Sequence, residues 1–429
     1  MSAILSQRRK SIRLKHCIFY GVLLGVAFAG MEGALRISMA LIPGNPLVET
    51  SLAIPDSRLG QRLNPSYPGH DQNGFRNVGA LRKADLVVLG DSQTYGYGIP
   101  LDGLWPQLVG ELVGMRAYNM GVPGYGPVQS LLLLENALDL GPAVVVEAFY
   151  SGNDLYDSFR TAYYLNDLGD LKSVEKRKLA DIIEWETRQS LSALIAEVYN
   201  YRAQTGDSGT LARTKRWLNA HVMIYRLLRT VRDRVVSRPE KSKTWDDIRA
   251  DAERYPEDLL IGGSGVPATI FTPRYRLAAI DLKDPRIEEG LNVSLRAMER
   301  MSRRVAEKGG CFAVVMIPTK EFVYGFLGDI PASRAPSRTK FLRLLEQERE
   351  MWYRTRGYLT QRGIPHVDVG PALSRQVRYG EAVYPTCEDG HPTVAGHRAI
   401  AQHVTHSGVC GLGVRPRRSE AAAPDTGPK

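Results

Sequence analysis

The chain has 429 residues, 43% hydrophobic and 24% charged, an ordinary globular composition that excludes collagen-like and wholly disordered polymers and suffices for a large core. Its net charge of +10 is concentrated at the ends: residues 1–16 carry five basic groups and no acid, and the tail from Gly413 adds an excess of two, leaving about +3 for the body between. A nucleic-acid binder carries its basic excess on the folded body, so no nucleic-acid partner is expected.

The basic residues 1–16 read as a cytoplasmic N-terminus. They precede fifteen uninterrupted apolar residues, Cys17 to Met31, and a less clean continuation through Glu32 and Arg36 to Ile42. Taken whole, 17–42 is long enough for a transmembrane signal anchor, with Glu32 and Arg36 four apart and able to pair along one helix face. Positive residues before the segment put the body outside the cytoplasm, and a short basic N-terminus fits a single-pass protein of the bacterial inner membrane with a periplasmic body. A cleaved signal peptide is the alternative, with Ala27-Phe28-Ala29 as a weak cleavage site. Past this segment lie three cysteines, Cys311, Cys387 and Cys410, which allow at most one internal disulfide. Cys387 and Cys410 are the closer two in sequence; buried free thiols are the alternative. No Cys/His spacing resembles a zinc site.

Residues 43–83, rich in Pro, Gly and Asn, read as a linker and lead-in, and 84–412 as one domain. Asp85–Leu89 is a nearly continuous apolar run, the pattern of a parallel strand buried on both faces. A helix is expected over 105–113, a strand over 117–120, a helix over 128–139 and a third strand over 143–149. The rhythm breaks between about 155 and 280, where a helical insertion is expected, including helices over 181–199 and 217–236. Residues 213–243 hold ten Lys or Arg against Asp233 and Glu240, interleaved with Trp217, Leu218, Met223, Ile224, Leu227, Leu228 and Val231. This stretch is either a packed helix with a solvated basic face or a surface for anionic lipid or an anionic polymer. A helix over 291–308, a strand over 311–317, a helix over 341–362, a strand over 366–369 and a helix over 394–403 complete the pattern. Repeated β-α-β units imply an α/β fold with a mainly parallel sheet of about five strands, and ligands bind at the strands' C-terminal ends. The tail 413–429 reads as disordered.

The chemistry-bearing residues fall at those ends. Gly90-Asp91-Ser92 follows the first strand; alone, a turn serine capping the next helix is the commoner explanation, since a serine hydroxyl needs a base to become a nucleophile. Gly124, in Asn119-Met120-Gly121-Val122-Pro123-Gly124-Tyr125-Gly126, follows the second and can turn its N–H toward a developing oxyanion. Asn153, in Ser151-Gly152-Asn153-Asp154, follows the third and can donate from its amide. His391, in Cys387-Glu388-Asp389-Gly390-His391-Pro392, is a candidate general base near the C-terminus. Each has an ordinary turn as its competing explanation, but their order along successive strands is informative.

Together these residues resemble the SGNH (GDSL-type) hydrolase superfamily, whose four blocks carry Ser in G-D-S, Gly, Asn in G-x-N-D and His in D-x-x-H. The matches are Ser92, Gly124, Asn153 and His391, covering roughly residues 70–155 and 285–405. Asn73-Gly74-Phe75-Arg76, Gly124-Tyr125-Gly126 with Gln129, and Ile317-Pro318-Thr319-Lys320-Glu321 further resemble the membrane-anchored branch associated with exopolysaccharide biosynthesis. The resemblance implies a flavodoxin-like three-layer sandwich and a serine-dependent esterase acting on a carbohydrate O-acyl, chiefly acetyl, ester. An O-acyltransferase with the same Ser-His site and a non-catalytic carbohydrate-binding or assembly protein are the alternatives. It also implies an oxyanion hole of Ser92, Gly124 and Asn153, and no metal or organic cofactor. One departure stands out: three positions before His391, where the family has Asp, this chain has Glu388, while Asp389 lies two before. The register favours Glu388 as the carboxylate behind His391, with Asp389 the alternative.

Overall fold

The computed structural model describes residues 2–41, 51–165, 168–173, 175–201, 214, 217–218, 221–235, 244–328 and 336–413. The tail 414–429 and much of the basic 213–243 stretch therefore lie outside the described residues. Two compact units are present, one formed by residues 1–54, 64–68 and 202–242, the other by 55–63, 69–201 and 243–429.

The larger unit is built on five strands: β1 (Leu86–Gly90), β2 (Ala117–Gly121), β3 (Val144–Tyr150), β4 (Cys311–Ile317) and β5 (His366–Asp368). All pair in parallel in the order β2-β1-β3-β4-β5. This is the flavodoxin-like order, so the expected fold class is observed. Every residue of β1 and β3 is buried, as their continuous apolar runs require of strands covered on both faces. Each strand lies within a residue or two of its sequence-based position.

Helices flank the sheet. Around the candidate residues run α1 (Ser92–Tyr95), α2 (Trp105–Val113), α3 (Pro127–Leu138) and α4 (Asp154–Arg160). The 23-residue α5 (Pro285–Glu307) is amphipathic, starts on an Asp284 cap with proline in its first turn, and packs its apolar stripe on α3, α4 and β4. Helix α6 (Pro336–Gln361) buries Phe341, Leu344, Met351 and Trp352, and α7 (Val394–Ser407) packs on α2.

Two expectations need correction. The 155–280 insertion contains helices over Lys176–Arg188, Leu191–Tyr199 and Trp245–Arg254, but also an antiparallel hairpin of Leu260–Gly262 with Thr269–Phe271. Three-residue strands are too short to leave a period-two signature. The disulfide joins Cys311 to Cys410, not Cys387 to Cys410, and Cys387 is a half-buried free thiol. Cys311 opens β4 and Cys410 follows α7, so topology pairs residues 99 apart in sequence.

The smaller unit contains a long helix, Ser2–Leu41, whose stretch Ile18–Ser38 has a mean hydropathy of 1.7 and no residue buried within the protein. Its 21 residues rise about 31 Å, enough to cross a bilayer core of roughly 30 Å. Glu32 and Arg36 pair as their spacing suggested, Arg36 Nη2 donating to Glu32 Oε1 at 2.7 Å.

One residue inside the sheet carries a pH-dependent cost. Glu147 is fully buried in the middle of β3, and burial, reinforced by the charge of Asp91, pushes its carboxyl up to about 8. The folded protein thus keeps a proton that the unfolded chain loses near pH 4.5. Stability from this group is complete below that value and is lost as pH rises through about 8. The wild type should therefore lose stability across this window, by up to ~1.4 kcal/mol per pH unit, relative to Glu147→Gln. Denaturant midpoints measured against pH check this; parallel curves would rule it out.

Candidate active site

The C-terminal ends of β1, β2 and β3 carry Ser92, Gly124 and Asn153, and the segment before α7 carries His391. Ser92 begins α1, whose N-cap Asp91 accepts the Gln93 N–H at 2.9 Å. The Asp91 carboxyl is fully buried and also accepts the Ser92 hydroxyl, Oγ to Oδ2 3.2 Å. Burial raises its pKa, while the Gln93 N–H and the charge of His391 oppose the rise. The cap is thus Asp91 and not the serine that an ordinary helix start would use, and Ser92 is the first helical residue.

Arg76 of the Asn73-Gly74-Phe75-Arg76 motif holds this turn from outside. Its guanidinium donates to the Tyr95 carbonyl at 3.0 Å and also to the carbonyls of Gly96 and Ile99. Asn119 ties β2 to the same turn, donating to the Thr94 carbonyl at 2.8 Å while accepting the Gly121 N–H at 2.8 Å. Gly124 sits at φ +77°, a left-handed conformation that side chains disfavour. Gln129 bridges its surroundings, accepting the Gly126 N–H at 3.0 Å. Among the described residues, no protein acceptor takes the N–H of Ser92 or of Gly124.

Asn153 N-caps α4 and its amide donates to Asp157 Oδ2 at 2.8 Å. The same amide nitrogen lies 3.5 Å from Asp154 Oδ1, so both of its contacts are to carboxylates. Asp157 is itself buried, which pushes its carboxyl up to about 7.

The carboxylate on His391 is that of Asp389. Asp389 Oδ1 meets His391 Nδ1 at 2.5 Å and also accepts the His391 backbone N–H at 3.0 Å. Of the two carboxylates expected here, Glu388 and Asp389, the described hydrogen bond to the ring comes from Asp389. An Asp two residues ahead closes a short side-chain-to-backbone turn, so the same oxygen that organises the loop reaches the ring. Burial opposes ionisation of Asp389, but its hydrogen bonds from His391 and the charges of His391 and Lys320 prevail, leaving its pKa below the ordinary value. A carboxylate only accepts, so Nδ1 bears a proton, and in the neutral form of the ring Nε2 carries the lone pair. The ring meets Tyr97, two residues past α1, at 5.1 Å between centroids in an edge-to-face arrangement, which seats His391 beside the Ser92 turn. No hydrogen bond joins Ser92 to His391 in this arrangement; the serine hydroxyl is on Asp91.

Two buried cations fix the His391 segment, and their roles were not apparent from sequence. Lys320 Nζ donates to the carbonyls of Cys387 and Asp389, both at 2.9 Å, and burial pulls its pKa down to about 8. Arg276, from the helix Pro273–Ile280, donates to the Gly152 carbonyl at 3.3 Å. A Cβ on Gly390 would lie 2.6 Å from Arg276 Nη2, so a side chain there would have to push the end of the guanidinium aside. Arg276 thereby links the loop before Asn153 to the loop before His391. Beneath them, Glu348 accepts Ser151 Oγ at 2.6 Å and the Thr319 N–H at 2.8 Å, tying the ends of β3 and β4 together. Lys320 belonged to the Ile317–Glu321 motif, but a lysine after a strand gives no sign of its target. Arg276 left no signal at all.

Two outcomes follow. The Asp389–His391 bond should give a downfield Nδ1–H proton resonance that Asp389→Asn displaces and Glu388→Gln leaves in place; the reverse would restore Glu388. Lys320→Met should leave two carbonyls without their donor, a cost of about 1–3 kcal/mol. Hydrogen exchange should accelerate at residues 387–391 while β1 and β3 stay protected; uniform protection would remove Lys320 from this role.

No family model and no curated protein matches the chain. Among solved structures, it is similar to a chain described as a lipolytic protein of the G-D-S-L family from Desulfitobacterium hafniense. The identity is 10%, the alignment covers 74% of this chain and 96% of that one, and the TM-score is 0.32. An alpha/beta hydrolase enzyme from the metagenome of Lake Arreo, Spain, aligns at 12% identity over 76% and 96% of the two chains, with a TM-score of 0.31. A GDSL-like lipase from Bacteroides thetaiotaomicron aligns at 10% identity over 75% and 86%, with a TM-score of 0.29. At such scores the alignments carry no functional weight, and any reading of the site rests on its own residues.

Proposed function

We propose that the protein is a serine-dependent ester hydrolase of the SGNH type, held to a membrane by its N-terminal helix with the larger unit outside the cytoplasm. The observation that carries this reading is the Asp389–His391 pair, packed through Tyr97 against the turn that bears Ser92. The disulfide Cys311–Cys410 supports an oxidising compartment, and Ile18–Ser38 supports the anchor. The choice of a carbohydrate O-acetyl ester as substrate rests on the sequence resemblance to exopolysaccharide-associated proteins.

In this mechanism the Ser92 hydroxyl leaves Asp91 by side-chain rotation and engages His391. Ser92 Oγ attacks the ester carbonyl carbon as its proton passes to His391 Nε2, and Asp389 stabilises the imidazolium through Nδ1–H. The tetrahedral oxyanion is received by the N–H groups of Ser92 and Gly124 and by the Asn153 amide, turned from its carboxylate partners. Its collapse breaks the carbon–alkoxide bond, and His391 returns the proton to the departing alcohol. Water then attacks the acyl-enzyme with His391 again as base, releasing the acid and restoring Ser92.

A fluorophosphonate probe, which labels only an activated serine, tests the reading. Labelling should be lost in Ser92→Ala, and should slow by on the order of 10²–10³ in Asn153→Ala with the fold retained. Absence of labelling in folded wild-type protein would favour a binding role for the scaffold. With an acetyl ester as substrate, free acetate is expected whether or not a polysaccharide acceptor is present; acetyl transfer to that acceptor would instead make the protein an O-acyltransferase.

A further inference from the structure

Glu32 and Arg36 are unusual residues for an apolar helix, and their partners lie in the segment around residue 221. The Glu32 carboxylate accepts the N–H groups of Met223 and Ile224 at 3.0 and 3.1 Å, while Arg36 Nη2 donates to the His221 carbonyl at 2.6 Å. These bonds cap the start of α8 (Met223–Val235), satisfying N–H groups that a helix cannot pair internally. Met223 is buried against the N-terminal helix, yet the same apolar stripe continues outward: Leu228 is 62% and Val231 48% exposed. Arg226, Arg229 and Arg232, three apart, run along the opposite side.

The exposed stripe is continuous with a helix whose own apolar side chains are exposed on every side, Leu24 at 70% and Val26 at 67% among them. Two joined surfaces of this kind need the same apolar medium. The depth agrees. Glu32 lies six residues before Ser38, the end of the apolar stretch, so α8 starts about 9 Å inside that end. Interfacial helices bury their apolar face roughly 5–10 Å into the boundary between headgroups and acyl chains.

We propose that residues 223–235 form an interfacial helix, docked on the body-side end of the membrane helix by Glu32 and Arg36, that inserts Leu228 and Val231 among lipid acyl chains and sets Arg226, Arg229 and Arg232 at the level of anionic headgroups. The inference rests on the reading of Ile18–Ser38 as a membrane span. Anionic lipid is the fitting partner because an arginine stripe at headgroup level gains from each negative phosphate nearby.

The test uses the full-length chain in lipid nanodiscs, with Cys17 and Cys387 changed to Ser and one environment-sensitive fluorophore on a new cysteine. Label at Val231→Cys should be quenched by doxyl-labelled lipids about as strongly as label at Leu24→Cys, and far more than label at Tyr379→Cys on the larger unit. Quenching at 231 should strengthen when phosphatidylglycerol replaces part of a phosphatidylcholine bilayer, and weaken in Glu32→Gln while quenching at 24 persists. Quenching at 24 without quenching at 231 would overturn the interfacial helix and leave the anchor standing. Quenching at neither would remove the anchor as well. Equal quenching at 231 in neutral and anionic bilayers would overturn the assignment of anionic lipid.

Discussion

The larger unit's site depends on one oxygen of Asp389, which binds both the backbone and the ring of His391. The first bond shapes the loop and the second fixes the imidazole's orientation and tautomer, so geometry and proton chemistry come from a single contact. That contact is itself held from below, because Lys320 fixes the Asp389 carbonyl and Arg276 fills the space under Gly390. Arg276 also reaches the Gly152 carbonyl. The His391 segment, distant in sequence from β3, is thus locked to the loop that presents Asn153.

The parallel sheet explains why such ties gather there. At the C-terminal edge of β2, β3 and β4 the backbone leaves the ladder and its polar groups need new partners. Side chains supply them: Asp154 accepts the Tyr150 N–H at 2.8 Å, Asn119 the Gly121 N–H, and Glu348 the Thr319 N–H. Several of these acids are fully buried, and burial raises the pKa of Asp91, Asp154 and Glu348 together. A cluster of carboxyls biased toward the neutral form avoids the mutual repulsion that full ionisation would bring. Lys320 and Arg276 stand on the far side, under the His391 loop, where positive charge favours an ionised Asp389.

Much of this was legible in the sequence, for identifiable reasons. Strands β1, β3 and β4 are buried on both faces and so appear as unbroken apolar runs, which located Ser92, Asn153 and the Ile317–Glu321 motif at strand ends. Asp389 was less legible because motif spacing counts residues, whereas the turn it closes depends on which side chain can bend back on its own backbone. The Cys311–Cys410 pairing was hidden for a related reason: proximity in sequence pointed to Cys387, and only the path of β4 and α7 brings the true pair together. Arg276 was invisible, since a single arginine in a short helix looks like any solvated one until the fold buries it. Glu32 and Arg36 were read as a pair with each other, correctly, but their further bonds to residues 221–224 join segments nearly two hundred positions apart.

The two N–H groups without protein acceptors sharpen the distinction between scaffold and reactive edge. Ser92 is only 9% exposed, and a buried backbone donor left unpaired is rare because it forfeits hydration without compensation. Elsewhere at this edge side chains meet such donors: Asn119, Asp154, Glu348 and Gln129 each accept a backbone N–H among their bonds. The same care is withheld at Ser92 and Gly124, and Gly124 adopts a backbone conformation costly for other residues. An acceptor from outside the chain would complete these bonds, as the oxyanion does in the proposed mechanism. The Ser92 turn is therefore capped by Asp91 at the Gln93 N–H, while the Ser92 N–H, the first of the helix, stays open to a partner from outside the turn.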